Sequence, residues 1–431
     1  MSPAPGRRWV WALLAVAAGV FVLRGPLRAW RYREAWVDFA VPYVEARCWL
    51  QGLNPYDEAL HRAEWHRTGG YGLETLGGRG AAATPYFPAA LPLIAPFALL
   101  PWSGAREAWI AVSCVLLAAL AVCAGRMRAS ATIDQQLLIS ALLLLAPPTH
   151  TLLWTGNLTL ASVAAGVAGH YWAEIRSRPV LAGFLIALSV AAKPQIGAWV
   201  LLFELLSRRW RPIASAVVCL ASLTAVFAFW LLVHGADWLG AYLTMSHAYL
   251  GPGLATDFAG IDPRRFNLLN VQVIFAGFTG NRTAAGLLGW LLVLALLAVW
   301  SRGFFRARTA GERLLAFGTL LTLSLLPVYH RIYDAIVLVI PAVWVLAPAP
   351  AAGRRLTAAV RVLLALFLLP TGSILVAAAV VGGIPPALAD AWWWNAFVMP
   401  HQNWVLLGLA AGLLLALTRL TRAAPAAPRV S

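Results

Sequence analysis

"RPVLAGFLIALSVAAKPQIGAWVLLFELLSR" spans Arg178 to Arg208, with 29 residues between the two arginines and a single cation, Lys193, among them. Basic residues mark the cytoplasmic flanks of membrane segments, and both arginine clusters read as cytoplasmic. One straight helix would place its ends on opposite sides of a bilayer. Two short half-helices meeting at Lys193-Pro194 would keep both ends on the same side. Irregular backbone at membrane depth is tolerated only inside protein or against a watery cavity. An intramembrane lysine is by default a functional-site residue; the plain alternative is that Lys193 snorkels to an interface beside a proline kink.

The rest of the chain extends this pattern. Its 431 residues are 61% hydrophobic and 12% charged, with 21 tryptophans, and the mean hydropathy is +0.74. Apolar runs recur throughout, and a crossing needs about 20 residues of helix. The weak alternation of an outer-membrane barrel is missing. The expected fold is therefore an all-α polytopic membrane protein of about 10–12 transmembrane helices. The net charge of +16 comes largely from arginines that punctuate the ends of apolar runs, so it points to membrane topology and away from nucleic acid. Cys114, Cys123 and Cys219 lie in apolar runs and Cys48 stands alone, which gives no disulfide framework.

Orienting the spans by their basic flanks keeps Arg7 and Arg8 inside, with a retained first helix over about 9–23. A large first external loop follows at 24–104. It carries juxtamembrane helices and the short, proline-punctuated "YFPAALPLIAPFALLP", read as lying in or dipping into the outer leaflet. A second external loop runs over 234–283. Residues 1–422 form one transmembrane unit, and 423–431 a disordered cytoplasmic tail. Of the 17 acids, only Asp134, Glu174, Glu204 and Glu312 fall inside, so the external face of a multi-pass cell-membrane protein collects most of the carboxylates.

Four polar elements can carry chemistry there. Asp38 lies in "VDFAVPY" (37–43), either as a general base at an apolar face or as the N-cap of a helix beginning at Phe39. "GLNPYD" (52–57) reads as a structural turn. In "GIDPRRFNLLNVQ" (260–272), Asp262 and Pro263 start a helix. Arg264 and Arg265 can then hold a phosphate, and Asn270 and Gln272 can face a polar cavity. In "YHRIYD" (329–334), His330 and Asp334 are four apart and share a face on a helix, beside Tyr333. No metal-ligand spacing, Walker loop or Rossmann glycine pattern occurs, so neither a metal nor a nucleotide cofactor is expected.

In order along the chain, "VDFAVPY", "WLQGLNPYD", Tyr86–Pro88, "WTGNLTL", "AAKPQIG" and "YHRIYD" resemble glycosyltransferase family 87, whose members have the GT-C fold. The resemblance implies an inverting membrane transferase. It would move a hexose, typically mannose, from a polyprenyl phosphate to a lipid-linked or glycan acceptor on the external face. Asp38 takes the catalytic position, and His330, Arg264, Arg265 and Lys193 are the candidates for the donor phosphate. Asp334, Tyr333, Asn157, Asn270, Gln272 and Tyr43 would support the substrate cavity, with Asn157 standing where a glutamine is common. The competing reading is a transporter or flippase of a lipid-linked sugar, which would need no catalytic acid.

Overall fold

Proline sets the lengths of many helices in this chain. It can occupy the first turn of a helix, where its missing N–H is no loss, but it breaks a helix interior. Pro88, Pro147, Pro179 and Pro194 each open a helix. The computed structural model describes residues 5–31, 37–68, 85–128, 131–254, 256–346 and 352–423. The tail expected to be disordered lies, past Ala423, outside the described residues. Among the described residues there are helices and an isolated bridge between Leu268 and Arg331, but no strand.

Among the described residues, six helices are long and apolar enough to cross a membrane: Arg8–Arg31, Trp102–Arg126, Trp210–Val233, Arg282–Arg306, Arg354–Val380 and His401–Arg422. A seventh is obtained if Ile133–Leu145 and Pro147–Thr155, bent by 52°, count as one span. The polytopic all-α expectation holds, but fewer helices are long enough than the ten to twelve crossings read from the sequence. The remaining apolar runs form shorter helices, Pro88–Ala98, Pro179–Ala192, Pro194–Leu206 and Ile332–Val345. At 1.5 Å per residue, fourteen residues reach about 21 Å, short of a hydrocarbon core of about 30 Å.

The chain forms two compact units, Met1–Arg126 with Gln136–Asp257, and Met127–Gln135 with Phe258–Ser431. In the first unit, the Thr159–Glu174 helix is buried at every position from Ser162 to Tyr171. It packs against Trp102–Arg126 and against both half-helices around Lys193. Small residues permit this closeness. A Cβ on Gly169 would lie 2.7 Å from the Ile186 side chain, and one on Gly197 would lie 2.3 Å from the backbone nitrogen of Val190. The second contact fixes the chain reversal at Lys193-Pro194, so the two half-helices form a hairpin as expected. At its far end His170 bonds Glu204 at 2.6 Å, and Arg209 bridges Glu204 and Glu174.

The first loop docks on the same unit through aromatic and polar contacts. Phe39 stacks on Trp109 with centroids 4.9 Å apart. Trp49 Nε1 donates to Phe227 O, and Trp230 Nε1 donates to Trp49 O. "GLNPYD" is the turn the sequence indicated. Asn54 Oδ1 accepts from Tyr56 N, and Asp57 caps Glu58–Arg67 by accepting from Ala59 N and Leu60 N.

In the second unit, the Ala310–Ser324 helix is buried at every position from Leu314 to Ser324 and packs against Arg282–Arg306, Val339–Val345 and His401–Ala423. Trp300 Nε1 donates to Ala316 O at 2.8 Å.

Candidate active site

Four elements of the first unit bring Asp38, Asn157 and Lys193 into one hydrogen-bonded chain, with Thr159 as the link. Asp38 lies in the first turn of the Val37–Leu50 helix. The sequence-based alternative, a cap for a helix beginning at Phe39, gives way to a long-range bond: Asn157 Nδ2 donates to Asp38 Oδ2 at 3.1 Å. The phenol of Tyr86, from the Tyr-x-Pro motif, donates to the main-chain oxygen of Asp38 at 2.9 Å. Tyr86 N donates to the buried carboxylate of Glu45, and burial pushes the Glu45 carboxyl well above its ordinary range.

Asn157 is placed by the "WTGN" turn. Gly156 adopts a left-handed φ of 69° after the Pro147–Thr155 helix, a conformation glycine takes without strain. Its oxygen accepts from Trp109 Nε1 at 2.9 Å. Asn157 Oδ1 then accepts from both Thr159 N at 2.9 Å and Thr159 Oγ1 at 2.7 Å. Lys193 sits at the hairpin break with extended backbone, and its Nζ donates to Thr159 Oγ1 at 2.9 Å. Asn157 and Thr159 are buried; Asp38 and Lys193 are partly exposed. The arrangement presents an anchored carboxylate with a cation wired to it through buried neutral groups.

Tyr43 lies apart from this chain. Its ring is fully buried against Trp102, at 5.1 Å between centroids, and its hydroxyl donates to Leu100 O.

In the second unit His330 Nδ1 faces Asp334 Oδ2 at 3.0 Å, and both side chains are buried, at 0% and 1% exposure. A carboxylate can only accept here, so Nδ1 carries the hydrogen and the tautomer is set. The pair does not lie on one α-helical face, as the spacing suggested. His330 precedes a short 3-10 helix, Ile332–Leu338, and Asp334 reaches back from its third position to accept from Arg331 N as well. His330 Nε2 is buried without a hydrogen-bond partner.

Asp262 caps the next element as expected, accepting from Arg264 N. The Arg264 guanidinium is exposed and paired to Asp262 at 3.2 Å, while that of Arg265 lies 4.6 Å from the Phe266 ring centre. Asn270 caps the Val271–Thr279 helix and accepts a bond from Val273 N, and Gln272 Nε2 donates to Pro327 O at 2.7 Å. Tyr333 is partly buried.

Sequence reasoning missed Thr159 and the grip of Tyr86 on Asp38. Both lie in motifs that were singled out, and a hydroxyl two residues after Asn157 was the available signal.

An all-helical chain with this many bilayer-length helices is a multi-pass membrane protein. Residues 84–370 match glycosyltransferase family 87. The chain therefore belongs to that family and is a membrane glycosyltransferase. The matched stretch contains Tyr86, Asn157, Thr159, Lys193 and the His330–Asp334 pair, and it begins after Asp38 and Tyr43. No curated protein and no solved structure matches the chain.

Proposed function

We propose that this glycosyltransferase moves a hexose, in the first place mannose, from a polyprenyl phosphate to a hydroxyl of a lipid-linked or glycan acceptor. The active face is the external one, and the anomeric carbon is inverted. The observation that carries the reading is the Asp38 carboxylate, partly exposed and held at one oxygen by a buried asparagine. A carboxylate so oriented can take the acceptor's hydroxyl proton as the nucleophile attacks. The acceptor oxygen forms the new bond to C1, the bond from C1 to the phosphate oxygen breaks, and the phosphate leaves with the electron pair. In-line displacement gives inversion.

Recognition of the donor phosphate is assigned to His330, Arg264 and Arg265. The Nε2 of His330 points away from its carboxylate partner, and a protonated imidazole or a guanidinium stabilises charge as it builds on a leaving phosphate. Asp334 and Tyr333 support that imidazole. Lys193 serves the base rather than the phosphate, through its bond to Thr159. A lipid phosphate as leaving group requires no nucleotide.

The reading is tested with purified protein, labelled polyprenyl-phosphate mannose and membrane lipids as acceptors. Label should enter a new lipid product whose anomeric configuration is opposite to that of the donor. Retained configuration would remove the single displacement. Absence of transfer, with donor crossing the bilayer instead, would make the protein a transporter.

A further inference from the structure

Thr159 is the one member of the chain from Lys193 to Asp38 that is fully buried, at 0% exposure. Its hydroxyl accepts from Lys193 Nζ at 2.9 Å and donates to Asn157 Oδ1 at 2.7 Å. An ammonium can only donate, so it occupies the hydroxyl as acceptor and turns the single O–H toward Asn157. The Asn157 oxygen then holds two donors, the Thr159 hydroxyl and the Thr159 main-chain N–H. An amide with its oxygen so occupied must turn its NH2 the other way, and there it meets Asp38 Oδ2. Every bond in the series runs donor to acceptor from the cation to the carboxylate, an order in which each bond polarises the next.

We propose that Thr159 is a positioning residue for the transfer reaction. Its hydroxyl converts the fixed charge of Lys193 into a fixed orientation of the Asn157 amide, and thereby of the Asp38 carboxylate. The inference rests on the reading of Asp38 as the base. Thr159 touches neither substrate nor reacting atoms in this scheme; it acts through Asn157. Valine has nearly the same shape as threonine and would keep the helix packing. It would, however, leave Lys193 without this acceptor and take the hydroxyl from Asn157 Oδ1 while keeping the main-chain N–H, so the amide is held less firmly. A misdirected base costs rate rather than donor affinity.

The test measures kcat and donor KM for polyprenyl-phosphate mannose with wild type, Thr159→Val, Thr159→Ser, Lys193→Met, the Thr159→Val/Lys193→Met double variant and Asp38→Asn. Thr159→Val should lower kcat by about 10-fold or more with donor KM within about twofold. Thr159→Ser, which keeps the hydroxyl, should stay within about threefold of wild type. The double variant should be no slower than the slower single one, because two links of one chain do not add. Wild-type kcat in Thr159→Val beside an inactive Asp38→Asn would overturn the positioning role and leave the base in place. An active Asp38→Asn would remove the base reading, and the proposal with it, as would a wild type that transfers nothing. Should Thr159→Val fail to fold, Lys193→Met carries the test. A fall in kcat at constant donor KM supports the chain, whereas a raised donor KM at constant kcat places Lys193 on the substrate and overturns it.

Discussion

The two polar constellations of this protein are built in opposite ways. In the first unit, the chain from Asp38 to Lys193 joins residues 119 and 34 positions apart through a helix start, a glycine turn and a broken hairpin. In the second, His330 and Asp334 are four positions apart and are joined by one cap-like turn. Both side chains of the local pair are buried, and His330 Nε2 is left without a hydrogen-bond partner. The long-range chain ends on partly exposed groups, so its terminal carboxylate can meet a substrate, but it depends on every element that brings its links together. A local motif is thus robust and legible, while a long-range one is exacting and hidden until the helices are placed.

That contrast can be sharpened by acid. His61, in the Glu58–Arg67 helix of the first unit, is a buried histidine, and burial lowers its pKa from 6.5 to about 4. Below pH 6.5 the unfolded chain takes up a proton that folded His61 refuses, until pH falls to about 4. Stability should therefore fall across that window, by at most about 3 kcal/mol at 1.36 kcal/mol per unit. Thermal unfolding of wild type and His61→Phe in detergent between pH 7 and 4 checks this. The variant should lose less stability than wild type, and parallel curves would refuse the assignment.

Removing the imidazole of the local pair comes next in size. His330→Ala should raise donor KM by about 10–100-fold, the worth of a charge-assisted hydrogen bond, with Asp38 chemistry left intact. A change confined to kcat would move His330 away from the donor.

Gly197 probes the hairpin that carries Lys193. A Cβ there meets the backbone of Val190 and Ser189, which cannot yield as a side chain tip would. Gly197→Ala should cost about 1–3 kcal/mol by overpacking and lower the Tm. Gly19→Ala, where nothing lies within 4 Å, should leave the Tm unchanged.

The smallest effect belongs to Asp334→Asn, which keeps the geometry of the pair and removes its charge. It should raise donor KM by about fivefold, consistent with a hydrogen bond of about 1 kcal/mol, and should add nothing to His330→Ala. Additive effects would mean that Asp334 acts on its own.

Much of this was legible in the sequence, and for identifiable reasons. Apolar runs gave the helical membrane class because a bilayer demands internal backbone pairing. The hairpin at Lys193-Pro194 followed from basic flanks that a straight helix could not satisfy. Asp57 and Asp262 were readable as a turn and a cap because their effects are local. Six helices of bilayer length stand among the described residues against the ten to twelve spans read from the sequence, because apolar runs such as those opening at Pro179 and Pro194 form helices of only 14 and 13 residues. Asp38, readable either as a base or as the cap of a helix beginning at Phe39, lies inside the first turn of a helix that includes Val37, and its bond to Asn157, 119 residues away, was not readable. Asn270, expected to face a cavity, caps a helix and donates its main-chain N–H to Asn403 Oδ1. Asparagine has the same appearance in sequence for either task.

The central claim is that Asp38 is the base, and the most direct measurement is kcat and donor KM for Asp38→Asn against wild type under saturating acceptor. Asparagine fills the same volume and cannot take the proton. The account predicts a kcat lower by about 100-fold or more at a donor KM within about twofold. Turnover by Asp38→Asn at the wild-type rate would contradict it.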